Sequence, residues 1–210
     1  MLKTTADNPA RFGTLSKGLI CYAVLSEYVH HPLTFLVGTA LTLPGFKKTV
    51  PEDVPREFVE LFAFPAWIYL RLKQRLDPDK ALALARAIIL PLGTAAYGAE
   101  FGVVEAPRTW TNFMVFLDRS FQRGAIRWSK VEGEERTDTT RSYRCVSCMI
   151  HVFLSKVGIP ELTESFCSLD NALYNSYMPN QMTFDRGGPA NTIAKGNPFC
   201  QFNHAVQVTP

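Results

Sequence analysis

The spacing of the apolar residues changes about half-way along the chain, and this change limits the possible folds. Between Phe58 and Leu76, apolar residues recur every three or four positions, which is the spacing of one helix face. Beyond about residue 125, short strand-like segments bounded by turn residues are interleaved with helical ones. Helices followed by strands and helices predict an α+β fold, in which a helical N-terminal half packs on a small antiparallel sheet with two further helices in the C-terminal half.

Several elements carry their own start and stop signals. Asp77 and Pro78 form an N-cap followed by a proline at the first helical position, and Pro91 is expected to end that helix. Gly124 is expected to end another helix, from Trp110 to Arg123. The C-terminal half predicts, in order, two strands around a turn at Glu132–Glu134, helices at Arg144–Val157 and Leu162–Tyr177, and strands at 181–186 and 198–208.

The size and composition of the chain are those of a globular protein. Its 210 residues are 47% hydrophobic and 20% charged, and no linker or repeat divides them. We therefore predict one domain over residues 1–210. Within it we distinguish a hydrophobic N-terminal arm (1–50), a helical part (51–124) and an α+β part (125–210).

The charges do not indicate a nucleic-acid-binding protein. The net charge of +3 is dispersed, and the short basic clusters are accompanied by carboxylates. The chain also has no G-x-x-x-x-G-K-[ST] loop, no dinucleotide-binding fingerprint in a βα context and no G-x-S-x-G elbow. We expect a small-molecule substrate rather than nucleic acid as the partner.

The cysteines indicate a reducing compartment. Five cysteines are an odd number and are unevenly spaced, so they predict free thiols rather than a disulfide framework. The first 15 residues also lack the layout of a secretory signal. We expect a cytoplasmic location.

Residues 28–46 form an uncharged apolar segment. They contain two histidines, two prolines and two glycines, which would interrupt a membrane helix, and they barely reach the length of one span. We expect a buried or surface-docked arm instead of a transmembrane helix. Peripheral contact of this arm with a membrane or a hydrophobic substrate stays open, as does a homodimer.

The sequence RCVSCMIH places Cys145, Cys148 and His151 in one short segment. If the segment is helical, Cys145 lies near the apolar face, Cys148 at its edge and His151 on the opposite side. A zinc site that also uses Cys200 and His204 is an alternative, as is a C-x-x-C redox pair. Structural zinc ligands usually come from a turn or knuckle, so we expect no metal and no other cofactor.

A second group of polar residues lies further on. Cys167 and Asp170 are three positions apart, hence on one helix flank. Arg186 precedes a glycine-rich loop, residues 187–197, and an arginine beside backbone N–H donors suits a carboxylate. From composition alone, a surface arginine beside a plain connecting loop explains the same residues.

A series of short motifs carries a family resemblance. They follow Cys148 in this order: GIPEL (158–162), FCSLD (166–170), TFDR (183–186), TIAKG (192–196) and FCQF (199–202). Over about Ser142 to Val208, this series resembles the L-2-amino-thiazoline-4-carboxylic acid hydrolase family. The chain departs from the family pattern at Gln201, where the family has an aspartate, and in a longer segment from Gly187 to Asn191.

The resemblance implies an enzyme that opens a thiazoline ring by adding water at an amidine-like carbon. Such a reaction needs a nucleophile or activated water, a proton donor and an anchor for the substrate carboxylate. As nucleophile we rank Cys167 first, then Cys148, then Cys200. The candidate catalytic residues are Cys167, Asp170, Cys148, His151 and Cys200. The candidate substrate-binding residues are Arg186, Asn191, Thr192, Gly196, Gln201 and His204.

Three functions are compatible with these residues. The first is a cofactor-independent hydrolase that opens a C–N or C–S bond of a heterocycle. The second is a tailoring enzyme of secondary metabolism, a cyclase or isomerase that acts on a bulkier intermediate in the same pocket. Gln201, the longer loop and the apolar arm favour this second function. The third is a non-enzymatic helical interaction protein, which predicts no reactive cysteine.

Overall fold

The structure, a computed structural model, describes residues 14–104, 107–188 and 190–207. The first 13 residues of the predicted arm, Pro189 of the predicted loop and Val208 of the last predicted strand lie outside the described residues. The helices of the described part are α1 (Thr14–Leu25), α2 (Pro32–Thr49), α3 (Arg56–Lys73), α4 (Pro78–Val104), α5 (Trp110–Arg123), α6 (Met149–Lys156) and α7 (Thr163–Tyr177). The strands are β1 (Lys130–Arg136), β2 (Thr140–Ser147), β3 (Met182–Asp185) and β4 (Cys200–Val206).

The four strands form one antiparallel sheet in the order β1-β2-β4-β3. In its register, Cys145 of β2 lies opposite Val131 of β1 on one side and Cys200 of β4 on the other. With the helices preceding the sheet and two more within the C-terminal half, the predicted α+β fold is confirmed.

The buried side chains form two hydrophobic clusters. The helical cluster joins α1 to α4 with Phe153 and Leu154 of α6 and Phe166 of α7. The sheet cluster joins α5, the C-terminal half of α7 and apolar residues of β2, β3 and β4, among them Tyr143 and Phe202. Helix α7 therefore contributes to both clusters, and its middle turns lie between them.

Helix α7 is in close contact with α4 at one glycine. A Cβ atom added to Gly93 would lie 2.2 Å from Cδ2 of Leu169, which is buried in α7. Such a distance is far below a carbon–carbon contact of about 3.5–4.0 Å. Gly93 thus permits an approach of the two helices that no larger residue would allow.

The predicted helix from Arg144 to Val157 is wrong at its start. Residues 144–147 belong to β2, Cys148 is the N-cap residue, and the helix begins at Met149. The physical reason is that this segment pairs with a strand on each side, β1 and β4, and sheet hydrogen bonds override the helix-like spacing of its apolar residues. Cys145 is buried as expected, but in a strand rather than on a helix face.

Two further boundaries differ from the predictions. Glu132–Glu134 is not a turn but part of β1, where the register shifts around Gly133 with φ of +62°, and the hairpin turns at Thr137–Thr140 instead. Helix α4 does not end at Pro91 but continues to Val104, since its contacts with α1, α3 and α7 offset the hydrogen bond that the proline removes. The helix at 110–123, the strands around 182–185 and 200–206, and the helix ending at Tyr177 are confirmed.

The apolar segment 28–46 is largely helical. Its α2 packs on α3 through Phe35 and Phe46, while Leu33, Val37 and Leu41 stay exposed on the outer side. Within the described residues, no helix combines the length and apolarity that crossing a bilayer requires.

We expect Gly93→Ala to lower the free energy of unfolding by about 1–3 kcal/mol, because the added methyl overlaps Leu169 in a packed interior. Alanine favours a helix over glycine, so any loss of stability reports the overlap and not helix propensity. Denaturant unfolding measures the change. The control is Gly18→Ala in α1, where no neighbouring atom lies within 4 Å of the added Cβ. Equal stability of the two variants would contradict the close approach, whereas Leu169→Ala should relieve it in the double variant.

Candidate active site

A small cavity lies where α7 passes between the two clusters. Its volume is about 40 Å³, room for only a few water molecules. Its lining comes from β2, β4, α6, α7 and the end of β3, namely Cys145, Cys148, Ile150, Thr163, Phe166, Cys167, Asp170, Arg186, Cys200 and Phe202. Four thiols, one ion pair and the hydroxyl of Thr163 therefore share a space whose remaining lining is apolar. A substrate of ordinary size must displace some of these side chains to enter.

The ion pair joins α7 to the segment after β3. Nη2 of Arg186 donates to Oδ2 of Asp170 at 2.8 Å, and the arginine side chain is only 6% exposed. The guanidinium also lies against the rings of Phe202 and Phe184, at 4.4 and 5.3 Å from their centres. Its Nε is buried and, within the part of the chain that the structure describes, has no hydrogen-bond partner. Nη1 of Arg186 also donates to the carbonyl oxygen of Gln201 at 3.5 Å, so packing and this hydrogen bond hold the pair.

Burial changes the acid–base properties of the pair. Removal from water raises the pKa of Asp170, and the neighbouring Arg186 offsets this only in part. For Arg186, burial acts to lower the pKa, but the Asp170 carboxylate outweighs it and the net pKa is raised. The guanidinium therefore stays charged. A permanent positive charge next to a carboxylate is suited to a substrate that carries both kinds of charge.

Cys148 has the most acidic thiol of the cavity. It is the N-cap residue of α6, although its side chain forms no capping hydrogen bond of normal geometry. A hydrogen bond with Cys145 is the main cause that lowers its pKa to about 7, against the opposing effect of burial. The backbone N–H groups of His151 and Ile150 lower the pKa further, while the charge of Asp170 raises it. A substantial fraction of Cys148 is therefore thiolate at neutral pH.

The other thiols of the cavity are held protonated. Burial raises the pKa of Cys167 and of Cys200, and the charge of Asp170 adds to the effect at Cys167. The hydrogen bond to Cys148, together with burial, raises the pKa of Cys145. The thiol acidities thus favour Cys148, which the sequence ranking had placed second to Cys167.

His151 contacts the cavity through Thr163. The ring nitrogen Nδ1 of His151 lies 3.2 Å from Oγ1 of Thr163, which is buried and lines the cavity. On its other side, Nε2 lies 3.5 Å from Oγ of Ser155 at the surface. His151 does not line the cavity, but these contacts connect the cavity to the solvent side of α6.

His204 lies in the sheet cluster and outside the cavity lining. Its ring is packed among aromatic rings, with centres 4.9 Å from those of Tyr174 and Phe184 and 5.4 Å from that of Phe113. Burial lowers the pKa of His204 to about 3, so the ring is neutral. His204 is not among the residues that line the cavity with Cys145, Cys148 and Cys200, the other members of the alternative zinc set. In the described part of the chain, no group of three or more His, Cys, Asp or Glu side chains is arranged around a common metal position.

The predicted loop residues organise the loop and do not line the cavity. Nδ2 of Asn191 donates to the carbonyl oxygen of Arg186 at 2.9 Å. Thr192 is buried and its carbonyl oxygen accepts from the N–H groups of Lys195 and Asn197, and Gly196 has φ of +84°. The loop reaches the site through Ile193, whose N–H donates to Sγ of Cys200 at 3.2 Å.

Gln201 also lies outside the cavity lining. Neighbours along a strand point to opposite faces, so Gln201 lies on the other side of the sheet from Cys200 and Phe202. Its Nε2 donates to the carbonyl oxygen of Tyr143 at 3.3 Å and to Oδ1 of Asn203 at 2.9 Å. The departure from the family at this position therefore leaves the cavity lining unchanged. Residues 28–46 are likewise absent from the lining.

Several lining residues escaped the sequence analysis. They are Cys145, in its contact with Cys148, together with Ile150, Thr163, Phe166 and Phe202. A helical projection would have indicated two of them. Thr163, Phe166, Cys167 and Asp170 follow the i, i+3, i+4, i+7 spacing of one helix face.

One comparison with known proteins assigns the chain to a family. A family model described as L-2-amino-thiazoline-4-carboxylic acid hydrolase matches residues 57–204. The chain belongs to this family. The match extends beyond the resemblance noted in the sequence to α3, α4 and α5, and it contains the whole cavity lining. Neither the curated proteins nor the solved structures give a match. Membership of this family indicates a hydrolase-like enzyme.

We expect iodoacetamide to alkylate Cys148 before the other cysteines, with a rate that rises with pH and is half-maximal near pH 7. Since the charge of Asp170 raises the pKa of Cys148, Asp170→Asn should move this half-point to lower pH. Peptide mass spectrometry identifies the labelled residue. Cys148→Ser should remove the fast-labelling class. A half-point near that of an ordinary thiol, about 8.5, or faster labelling of Cys167, would contradict the assignment.

Proposed function

We propose that this protein is a cofactor-independent hydrolase that opens a C–N or C–S bond of a small heterocycle, with Cys148 as its nucleophile. The observation that carries this proposal is the placement of an acidic thiol and a buried Asp170–Arg186 pair in one cavity. Family membership supports the reaction class. The thiol chemistry supports the choice of residue, because the thiolate is the reactive form of cysteine.

The ring opening is written for a 2-amino-thiazoline carboxylate. The Cys148 thiolate attacks the ring carbon between nitrogen and sulfur, and the electrons of the C=N bond move to the ring nitrogen. Collapse of this adduct breaks the bond from carbon to the ring sulfur, which leaves as a thiolate and takes up a proton. Water then attacks the same carbon and releases Cys148. The sum is one ring plus one water, giving an N-carbamoyl amino acid with a free thiol.

The Asp170–Arg186 pair is suited to orient such a substrate. The amidine-like group of the ring is basic and the substrate carboxylate is acidic, so the substrate carries charges of both signs. We propose that Arg186 binds the carboxylate, using the donor at Nε that has no partner in the structure. Asp170 accepts from Arg186 through Oδ2 alone, so Oδ1 is placed to accept a hydrogen bond from the amidine-like group.

Thr163 and His151 are placed to move protons between the cavity and solvent. The departing ring sulfur needs a proton, and the attacking water must lose one. A threonine hydroxyl can donate one proton while it accepts another, and the His151 ring behind it can exchange protons on the side of Ser155. We propose that this path supplies the proton transfers of the reaction.

The same cavity is compatible with a second function, a cyclase or isomerase. The observation that favours it is the apolar lining of Ile150, Phe166 and Phe202 around a volume that holds few waters, which would protect a rearrangement from hydrolysis. Such an enzyme would use the same thiolate but return no oxygen from water to its product.

We expect the purified protein to convert 2-amino-thiazoline-4-carboxylic acid, used as the probe, to the carbamoyl product with one oxygen from labelled water. Cys148→Ser should lower kcat by about a thousandfold or more, because it removes the nucleophile. Cys21→Ala, at a buried thiol of the helical cluster, is the control and should retain activity. Mass spectrometry of the product reads both the reaction and the label. Full activity of Cys148→Ser would contradict the mechanism, and a product without the label would favour the isomerase.

We expect Thr163→Val to lower kcat about a hundredfold with little change in KM, because valine keeps the shape but has no hydroxyl to move protons. Thr163→Ser is the matched control and should retain most of the activity. External imidazole should partly restore His151→Ala. The alkylation rate of Cys148 should stay unchanged in Thr163→Val, which separates a lost proton path from a lost thiolate. Equal kcat values for the valine and serine variants would contradict the path.

A further inference from the structure

Two of the cavity thiols lie at the junction of β2 and α6. Cys145 is near the end of the strand, and after two residues Cys148 caps the helix. Sγ of Cys145 donates to the carbonyl oxygen of Ser147 at 3.4 Å, and the Cys145 thiol interacts with that of Cys148. Both side chains face the cavity. A strand leading into a helix N-terminus is a local setting in which a C-x-x-C pair can react.

We propose that peroxides oxidise Cys145 and Cys148 to a reversible disulfide. This disulfide would inactivate the site, because Cys148 could no longer react as a thiolate. The sequence alone placed both residues on one helix and gave this pair no strand–helix setting. The structure supplies that setting and places both thiols in the lining of one cavity. The proposal concerns the two thiols only and does not depend on the substrate of the enzyme.

The two thiols have different roles in this oxidation. Cys148, the thiol at the helix N-terminus, attacks the peroxide as thiolate, takes up one oxygen atom and becomes a sulfenic acid, and the peroxide is reduced to an alcohol or, for hydrogen peroxide, to water. The Cys145 thiol then attacks the Cys148 sulfur, and the sulfenic oxygen leaves as water. Two thiols are oxidised and one peroxide is reduced. Cys145 loses its proton as it attacks, and this proton leaves with the sulfenic oxygen as water.

The geometry favours Cys145 over the other two cavity thiols as the partner. Cys200 lies opposite Cys145 in the sheet, but its Sγ accepts the N–H of Ile193 at 3.2 Å. Cys167 is on α7, across the cavity from the β2–α6 junction. Cys145 is separated from Cys148 by only two residues, and both line the cavity at the same strand–helix junction.

The disulfide would act as an off-state of the site. It removes the thiolate of Cys148, and it also removes the interaction with Cys145 that lowers the pKa of the Cys148 thiol. Since Cys145 is fixed between β1 and β4, the movement that forms the bond falls on Cys148 and the first turn of α6. A thiol reductant restores both groups.

The test exposes the full-length protein to hydrogen peroxide and maps the peptides without reduction. We expect a Cys145–Cys148 disulfide that dithiothreitol reverses. In Cys145→Ser, Cys148 should instead reach the sulfinic or sulfonic acid, at least about tenfold more than in the wild type, because the second thiol is missing. Cys21→Ala is the control and should form the disulfide like the wild type.

Each other outcome overturns the proposal. A disulfide from Cys148 to Cys167 or Cys200, unmodified Cys148, or equal sulfinic acid in wild type and Cys145→Ser would do so. The wild-type map decides the pairing even if Cys145→Ser fails to fold. The proposed nucleophile is tested separately. If the wild type forms the Cys145–Cys148 disulfide but Cys148→Ser keeps its ring-opening activity, this inference stands and only the proposed nucleophile is overturned.

Discussion

The packing of α7 against both hydrophobic clusters is the constraint on which the site depends. The first turns of this helix belong to the helical cluster, and its last turns cover one face of the sheet. Gly93 brings α4 against Leu169, half-way between these contacts. Cys167 and Asp170 lie on either side of that point in the sequence. The cavity therefore lies where the two halves of the protein meet, and its shape depends on how closely they approach.

The charge of Asp170 affects the pKa values of several neighbouring groups in the cavity. The Asp170 charge supports the Arg186 cation, and it raises the pKa of both Cys148 and Cys167. Of these two thiols, only Cys148 has a lowered pKa, because Cys145 and the N–H groups at the start of α6 outweigh burial and the charge of Asp170. Residues of the same type thus differ in reactivity because of their backbone setting, and not because of their distance from the ion pair alone.

The fold class and most helices could be predicted because they follow from local patterns. Trp110–Arg123 has a polar cap, an apolar face and a terminal glycine, all within 16 residues. The Arg144–Ser147 strand could not be predicted in the same way, since only its pairing with β1 and β4 distinguishes it from a helix. The acidity of Cys148 depends on that same boundary, so ranking the thiols by sequence was bound to miss it.

The sequence predicted which residues form the candidate site better than it predicted where they lie. Cys148, Cys167, Asp170, Arg186 and Cys200 were all selected, and all line the cavity. Gln201 and His204 were also predicted to bind substrate. Successive residues of a strand point to opposite faces, so Gln201 points away from the face that carries Cys200. His204 shares a face with Cys200 but lies four residues further along the strand, inside the aromatic packing. Depth within the core is a property that sequence spacing does not report.

The direct passage from β2 into Cys148, with no loop between them, divides the site into a rigid side and an adjustable side. Cys148, the proposed nucleophile, is positioned by the register of β2, which is paired with a strand on each edge. Arg186 and the residues 187–197, in contrast, follow an edge strand and approach the cavity through single contacts such as Ile193 to Cys200. Under the proposed function, insertions in that segment would change which molecule is recognised and would leave the Cys148 sulfur in place. Within one family, the chemistry would be inherited and the substrate would be free to vary.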